Sequence, residues 1–118
     1  MIRHFKKEMA YRIQQGLKTK TTRYKAWKEQ EISTVVYGSR YKPIKFGSIK
    51  VNSVIPTTWR DAIRSSWREE GFASPEAMEQ YITKEKIVRK DLSDDVWTME
   101  FEYQPNLKTE AEVIEYDH

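Results

Sequence analysis

The stretch that decides the fold is Gly16-Leu17-Lys18-Thr19-Lys20-Thr21-Thr22-Arg23. The apolar residues before it recur every four positions: Phe5, Met9 and Ile13. That spacing predicts a helix over 4–15, which Gly16 ends. The threonines that follow favour an extended backbone, so we expect a loop that enters a strand over 18–24. Side chains three residues apart on a strand face opposite sides, and Lys18 can therefore meet Thr21 only from a turn before the strand.

The rest of the chain carries more strand signals than helix signals. Strands are predicted over 32–37, 48–55 and 96–103, and helices over 58–70 and 75–86. The pattern of 96–103 alternates aromatic or apolar residues with polar ones, as in a half-buried strand. Pro43 and Gly47 are expected to bracket a connection, and Pro56 to end the 48–55 strand. Without regular strand–helix alternation, the sequence predicts an α+β fold, a small mixed β-barrel with flanking short helices.

Composition excludes several classes of protein. The chain has 118 residues, which suits one domain, and we assign 1–103 to it and 104–118 to an acidic tail. It contains no cysteine, which excludes disulfides, thiolate zinc sites, iron–sulfur clusters and a cysteine nucleophile. Its two histidines, His4 and His118, are expected at the surface, and no carboxylate cluster suggests a metal site. We therefore predict no metal and no cofactor.

The sequence also predicts where the chain resides. No apolar run approaches the ~20 residues that a membrane span needs. The first residues are basic but lack the apolar core of a secretory signal. We expect a cytoplasmic protein that does not contact a membrane. No feature of the sequence predicts an oligomeric state.

Charge is distributed unevenly along the chain. The balance over residues 1–50 is +10, whereas the balance over 51–118 is −7. Five of the basic residues lie between Lys18 and Lys28, interleaved with Tyr24 and Trp27. Basic groups neutralise phosphates and flat rings stack on unpaired bases, so this stretch is typical of a nucleic-acid surface. A solvated basic strand is the other interpretation of the same residues.

Several motifs in order resemble the ASCH domain, a small β-barrel related to the RNA-binding PUA domains. The matching parts are a helix that ends at Gly16, the run Lys18 to Arg23, Phe46-Gly47, Glu70-Gly71-Phe72 and the aromatic strand 97–103. The resemblance covers roughly residues 4–103. It implies a β-barrel that binds RNA or a modified nucleoside.

Within that group the chain is similar to small bacterial N4-acetylcytidine amidohydrolases, which use a lysine, a threonine three residues later and a distant glutamate. The resemblance implies Lys18 as base, Thr21 as nucleophile and Glu70 as proton shuttle. Glu69 is the alternative carboxylate. Arg23 would orient the substrate or stabilise an oxyanion. The basic stretch with its aromatic residues separately suggests Lys20, Tyr24, Lys25 and Trp27 as further substrate or RNA contacts.

The predicted mechanism places requirements on the threonine and on the lysine. A threonine hydroxyl is a poor nucleophile unless a base takes its proton. Lysine can be that base only if burial or neighbouring positive charge lowers its pKa. The longer region over 27–46 and the acidic tail depart from those enzymes and leave the substrate open. The alternative function is a non-catalytic RNA-binding module, or a weak ribonuclease, that uses the basic half.

Overall fold

A computed structural model describes residues 1–105, which form five strands and three helices. In chain order these are β1 (Ile2–Phe5), α1 (Lys7–Gln14), β2 (Lys20–Arg23), β3 (Ile32–Gly38), β4 (Pro43–Thr58), α2 (Trp59–Ser66), α3 (Pro75–Lys84) and β5 (Asp95–Pro105). The predicted acidic tail, apart from its first two residues, lies outside the described residues.

All five strands belong to one sheet with the order β1-β3-β4-β5-β2. The strands β1 and β3 are parallel, and every other neighbouring pair is antiparallel. The sheet curls into a half-barrel, and its two edge strands approach each other. Arg23 on β2 donates from Nη2 to the His4 carbonyl oxygen on β1, at 3.3 Å. The Arg23 guanidinium also lies 4.9 Å from the centre of the Phe5 ring. The α+β half-barrel with short flanking helices confirms the predicted fold class.

Apolar side chains fill the half-barrel and the space beneath the helices. The buried cluster inside the sheet includes the predicted stripe of Phe5, Met9 and Ile13. A second cluster joins α2 and α3 to the start of β5 through Trp59, Met78 and their neighbours. Burial of this apolar area is the main favourable term in folding. The gap between the two clusters is where the candidate site lies.

The predicted helix over 4–15 is wrong in its first part. Residues Ile2–Phe5 form β1, which pairs in parallel with Thr34 to Tyr37 of β3, and the helix begins only at Lys7. Phe5 is buried as expected, but it reaches the core from a strand. A helical period cannot reveal a parallel partner thirty residues away, so pairing in the sheet overrode the local pattern.

The predicted breaks at Gly47 and Pro56 are also wrong. Both residues lie inside β4, which runs for 16 residues. The pairing of β3 with β4 ends at Lys50, so beyond it β4 has a strand neighbour only in β5. A proline, which lacks an N–H donor, is tolerated where one side of the strand has no partner. An irregularity in register between Val51 and Ser53 lets this long strand bend around the half-barrel.

Other predicted elements are confirmed with shifted ends. The strands predicted over 18–24, 32–37 and 96–103 correspond to β2, β3 and β5. The helix predicted over 58–70 ends at Ser66, and the one over 75–86 ends at Lys84. The Ser74 hydroxyl caps α3 by accepting a hydrogen bond from the Ala77 N–H at 3.0 Å.

Two features are absent from residues 1–105. No helix there is long and apolar enough to cross a membrane. No group of three or more metal-ligating side chains occurs in the same range. The absence of a metal or cofactor from the protein's chemistry stays a prediction.

We predict that Gly47→Ala destabilises the fold much more than Gly16→Ala. A Cβ at Gly47 would lie 2.3 Å from the Gln104 carbonyl oxygen and 2.6 Å from the Tyr103 ring, in the middle of the sheet. The free energy of unfolding should fall by about 3 kcal/mol. Gly16 has φ +77 but open space around it, so alanine there should cost about 1 kcal/mol. Equal losses in urea denaturation would contradict this account of the sheet.

Candidate functional site

The turn after α1 places Lys18 in the interior. Gly16 adopts φ +77, a left-handed conformation that glycine reaches at little cost. The N–H groups of Leu17 and Lys18 then both donate to the Arg12 carbonyl oxygen, at 2.8 and 3.1 Å. The chain reverses there, and Lys18 is only 3% exposed although it precedes β2. Lys18 thus lies in a turn before the strand, as the spacing predicted.

A second turn, after α2, brings Glu70 to the same place. The Glu70 N–H donates to the Ser66 carbonyl oxygen at 2.9 Å, which extends the helix by one irregular turn. The Glu69 carbonyl oxygen accepts from the N–H groups of Thr19 and Lys20, at 2.7 and 3.0 Å. These backbone bonds fasten the two turns together. They also separate the two candidate glutamates, because Glu69 contributes its carbonyl while the Glu70 side chain is 4% exposed and lines the cavity.

Lys18 and Glu70 form a buried ion pair. The Lys18 ammonium donates to Glu70 Oε1 at 3.3 Å, to the Glu70 carbonyl oxygen at 3.2 Å and to the Lys20 carbonyl oxygen at 2.8 Å. Burial lowers the pKa of Lys18 below its ordinary value of 10.5, and the positive charges of Arg23 and Arg12 act in the same direction. The negative charge of Glu70 opposes that shift. The result is a lysine whose proton is easier to remove than that of an exposed lysine.

Thr22 completes the surroundings of the carboxylate. Its hydroxyl donates to Glu70 Oε2 and lies 2.7 Å from the hydroxyl of Thr98, its opposite residue on β5. Neither threonine was among the site residues predicted from the sequence. The Thr21-Thr22 doublet is the only signal for Thr22 in the sequence, whereas Thr98 becomes visible only once β2 is paired with β5. Both glutamate oxygens are therefore held, and the carboxylate has one orientation.

Thr21 lies beside this pair without bonding to it. Its side chain is 3% exposed, and its Oγ1 accepts a hydrogen bond from Arg23 Nε at 3.3 Å. Within residues 1–105 no hydrogen bond joins Lys18 to Thr21. Burial lowers the pKa of Arg23, whose guanidinium nevertheless keeps its charge at neutral pH. The arrangement leaves the Thr21 hydroxyl hydrogen uncommitted while a cation faces its oxygen.

These side chains line one cavity of about 310 Å³. It opens between the two edges of the half-barrel. The polar side of its wall comprises Lys18, Thr21, Thr22, Arg23 and Glu70. Phe5, Trp59, Phe72 and Ile82 are among the apolar residues on its other sides. A small cavity with apolar walls and a few convergent polar groups is typical of a site for one small molecule.

Three of the other predicted binding residues are placed differently from one another. Lys20 is half-buried and lies opposite Glu100 of β5. Lys25 is exposed and lines a groove next to the cavity. The Tyr24 hydroxyl is engaged on all sides: it donates to Asp94 Oδ2 at 2.6 Å and accepts from Trp59 Nε1 at 3.0 Å and from a backbone N–H.

Trp27 belongs to the core. It is 6% exposed and packs edge-on against Phe5, with ring centroids 6.2 Å apart. The guanidiniums of Arg3 and Arg23 lie 4.5 and 5.3 Å from its ring. A base could stack on Trp27 only after these neighbours had moved, which argues against its predicted stacking role.

Several solved structures have a similar fold. An ASCH protein from Zymomonas mobilis superimposes with a TM-score of 0.67 at 14% identity, over 88% of this chain and 68% of that chain. An ASCH domain from Lactobacillus crispatus gives 0.58 at 15% identity, over 81% and 70%. A protein from Enterococcus faecalis described by the family model DUF984 gives 0.62 at 12% identity, over 83% and 71%. The chain has the ASCH fold.

No family model and no curated protein matches the sequence. At 12–15% identity, the similarity to these structures shows a shared fold and does not show an activity. The chemistry of the site depends on the buried groups that the ASCH fold brings together here.

We predict that Glu70→Gln destabilises the protein by about 3 kcal/mol near neutral pH, because it leaves the Lys18 charge buried without a partner. The loss should shrink toward about pH 10. The lowered pKa of Lys18 means that its ammonium gives up its proton below 10.5, and a neutral amine needs no counter-charge. Urea denaturation at several pH values measures both effects.

Glu69→Gln is the matched control for this prediction. It changes the same residue type one position away but keeps the backbone carbonyl that holds Thr19 and Lys20. Its stability should stay within about 0.5 kcal/mol of the parent. A loss in Glu70→Gln that grows with pH would contradict the ion-pair account.

Proposed function

We propose that the chain is an amidohydrolase that removes the acyl group from an N4-acylated cytidine. The observation that supports this most is that Lys18, Thr21 and Glu70 line one cavity of about 310 Å³, although Glu70 is far from the other two in the sequence. That volume is at the lower end for small-molecule sites, which suits one nucleoside. The similarity of the motifs to N4-acetylcytidine amidohydrolases supplies the reaction class.

Thr21 is the nucleophile in this proposal. Its Oγ1 attacks the carbonyl carbon of the acyl group, while neutral Lys18 takes the hydroxyl proton. Arg23 Nε already donates to Oγ1, at 3.3 Å, and a cation in that place stabilises an oxygen that gains negative charge. The C–N bond then breaks, and the exocyclic amine of cytidine leaves with a proton. Water hydrolyses the acyl-threonine ester, which releases the carboxylic acid and restores the hydroxyl.

Lys18 must lose its proton and turn toward Thr21 for the first step. The lowered pKa of Lys18 supports the first requirement. The second requires that the amine give up its bonds to Glu70 and to the Lys20 carbonyl, which it makes as an ammonium. Glu70 lies 3.3 Å from Lys18 Nζ and can pass protons between this amine, the leaving group and water.

The alternative function is a non-catalytic RNA-binding module or a weak ribonuclease. The exposed basic residues of the amino-terminal half favour it. The half-buried Lys20, the fully engaged Tyr24 hydroxyl and the buried Trp27 give it less support, because an RNA surface needs open cations and rings. The affinity of an RNA binder should fall steeply with added salt, whereas a nucleoside enzyme should respond little.

We predict that Thr21→Ala lowers the release of cytidine from N4-acetylcytidine by about a thousandfold or more, because it removes the attacking oxygen. Thr21→Ser should keep part of the activity. Lys18→Arg should be as damaging as Lys18→Ala, since a guanidinium does not give up its proton. Glu69→Gln is the activity control, and circular dichroism checks that each variant folds. Undiminished hydrolysis by Thr21→Ala would reject the mechanism.

The pH dependence gives a separate prediction. The value of kcat/KM should rise with pH as Lys18 loses its proton, and the midpoint should lie below 10.5 because burial lowers the pKa of Lys18. Steady-state rates measured across the alkaline range give the profile. A rate that falls over that range would mean that the protonated lysine is the active form.

A further inference from the structure

A second groove opens beside the cavity and has a volume of about 400 Å³. The two spaces adjoin, because four residues line both: Thr22, Arg23, Trp59 and Ile87. A ligand in the cavity therefore lies next to the groove.

The groove is positively charged. Its lining includes Arg23, Lys25, Lys86 and Arg89, and no carboxylate. Among residues 1–105, no carboxylate lies within ion-pair distance of Lys25, Lys86 or Arg89. Like charges gathered in one groove repel each other, and an anion bound among them removes that cost.

Hydrogen bonds hold the two sides of the groove together. The Tyr24 hydroxyl accepts from the Arg89 N–H at 2.7 Å, which ties the segment after α3 to the end of β2. The Arg89 guanidinium lies 4.4 Å from the Tyr24 ring. The Asp94 carboxylate accepts from the Tyr24 hydroxyl and from the Lys90 N–H, and it does not line the groove. These hydrogen bonds hold the backbone at Arg89 against the side chain of Tyr24.

Lys86 adds a second observation on the same segment. It adopts φ +57, the left-handed region that a residue with a long side chain rarely occupies. Glycine or asparagine would be the ordinary residue just after a helix. The chain instead has a lysine there, and this lysine lines the groove.

We propose that this groove binds the phosphate group of a nucleotide whose base occupies the cavity. The inference rests on the proposed function for the identity of the base, and it deepens that function by making the preferred substrate phosphorylated. Guanidinium and ammonium groups suit phosphate oxygens, which accept several charge-assisted hydrogen bonds. The phosphate belongs either to a free nucleoside monophosphate or to an RNA strand that inserts one base.

The test compares kcat/KM for N4-acetylcytidine with kcat/KM for its 5′- and 3′-monophosphates. One of the monophosphates should be preferred by at least about tenfold at low salt, and the preference should fall as salt is added. The variant Lys86→Asn/Arg89→Gln should lose that preference and should keep the rate on the unphosphorylated nucleoside within about twofold. Asparagine tolerates the left-handed conformation of residue 86, so the variant removes charge without adding strain.

Lys84→Gln is the control, because it removes an exposed lysine from the same region that does not line the groove. It should keep the preference for the monophosphate. A short RNA that contains one N4-acetylcytidine identifies the source: hydrolysis at least as fast as for the monophosphate points to a strand, and slower hydrolysis to a free nucleotide. Equal kcat/KM for the nucleoside and both monophosphates would overturn the inference and leave the proposed amidohydrolase intact.

A binding measurement separates the inference from the failure of that activity. If no acylated cytidine is hydrolysed, calorimetric titration with cytidine and with its 5′- and 3′-monophosphates still tests the groove. A monophosphate should bind at least about tenfold more tightly than cytidine, and the double variant should remove the difference. Equal affinities for cytidine and both monophosphates would overturn the phosphate site.

Discussion

The buried ion pair of Lys18 and Glu70 constrains two turns that are far apart in the sequence. A charge inside a protein is costly unless an opposite charge and hydrogen bonds accompany it, so each turn depends on the other. The backbone bonds from Thr19 and Lys20 to the Glu69 carbonyl hold the turns in register. The rest of the site is arranged around this contact.

Glycine makes the contact sterically possible. A Cβ at Gly71 would lie 3.1 Å from Arg12 Cδ and 3.2 Å from Lys18 Cβ, so the chain after Glu70 passes close to the lysine stem. Gly71 also adopts φ +95, which other residues rarely reach. The Glu70-Gly71-Phe72 motif thus has a physical meaning: a carboxylate, the close approach that admits it, and an aromatic wall of the cavity.

Because the sheet is a half-barrel, its two edge strands leave a cavity between them and do not enclose a complete core. Its edge strands are not hydrogen-bonded as a ladder, and Arg23 connects them through the His4 carbonyl and the Phe5 ring. The same arginine donates to Thr21 and lines both the cavity and the cationic groove. One side chain therefore links closure of the fold, the candidate nucleophile and the surface toward which a charged ligand would extend.

The sequence by itself determined the parts of this protein that depend on local chemistry. The α+β class, the glycine-ended helix, the capped α3, the alternating β5 and the position of Lys18 before β2 all follow from spacing and residue type. The cavity side chains Lys18, Thr21 and Glu70 were also named from motifs, because a resemblance to known enzymes carries long-range information that periodicity lacks.

Only the tertiary structure decided what depends on partners distant in the chain. The conversion of Ile2–Phe5 into a strand required β3, and the passage of β4 through Pro56 required a side with no strand neighbour. The structure also distinguishes Glu70 from Glu69, because Glu70 places its carboxylate against Lys18 whereas Glu69 contributes its backbone carbonyl. Thr98 reaches the site because β5 pairs with β2, and Arg89 reaches the groove because its N–H donates to the Tyr24 hydroxyl. Those contacts cost chain entropy that only the complete core repays, so no local pattern in the sequence encodes them.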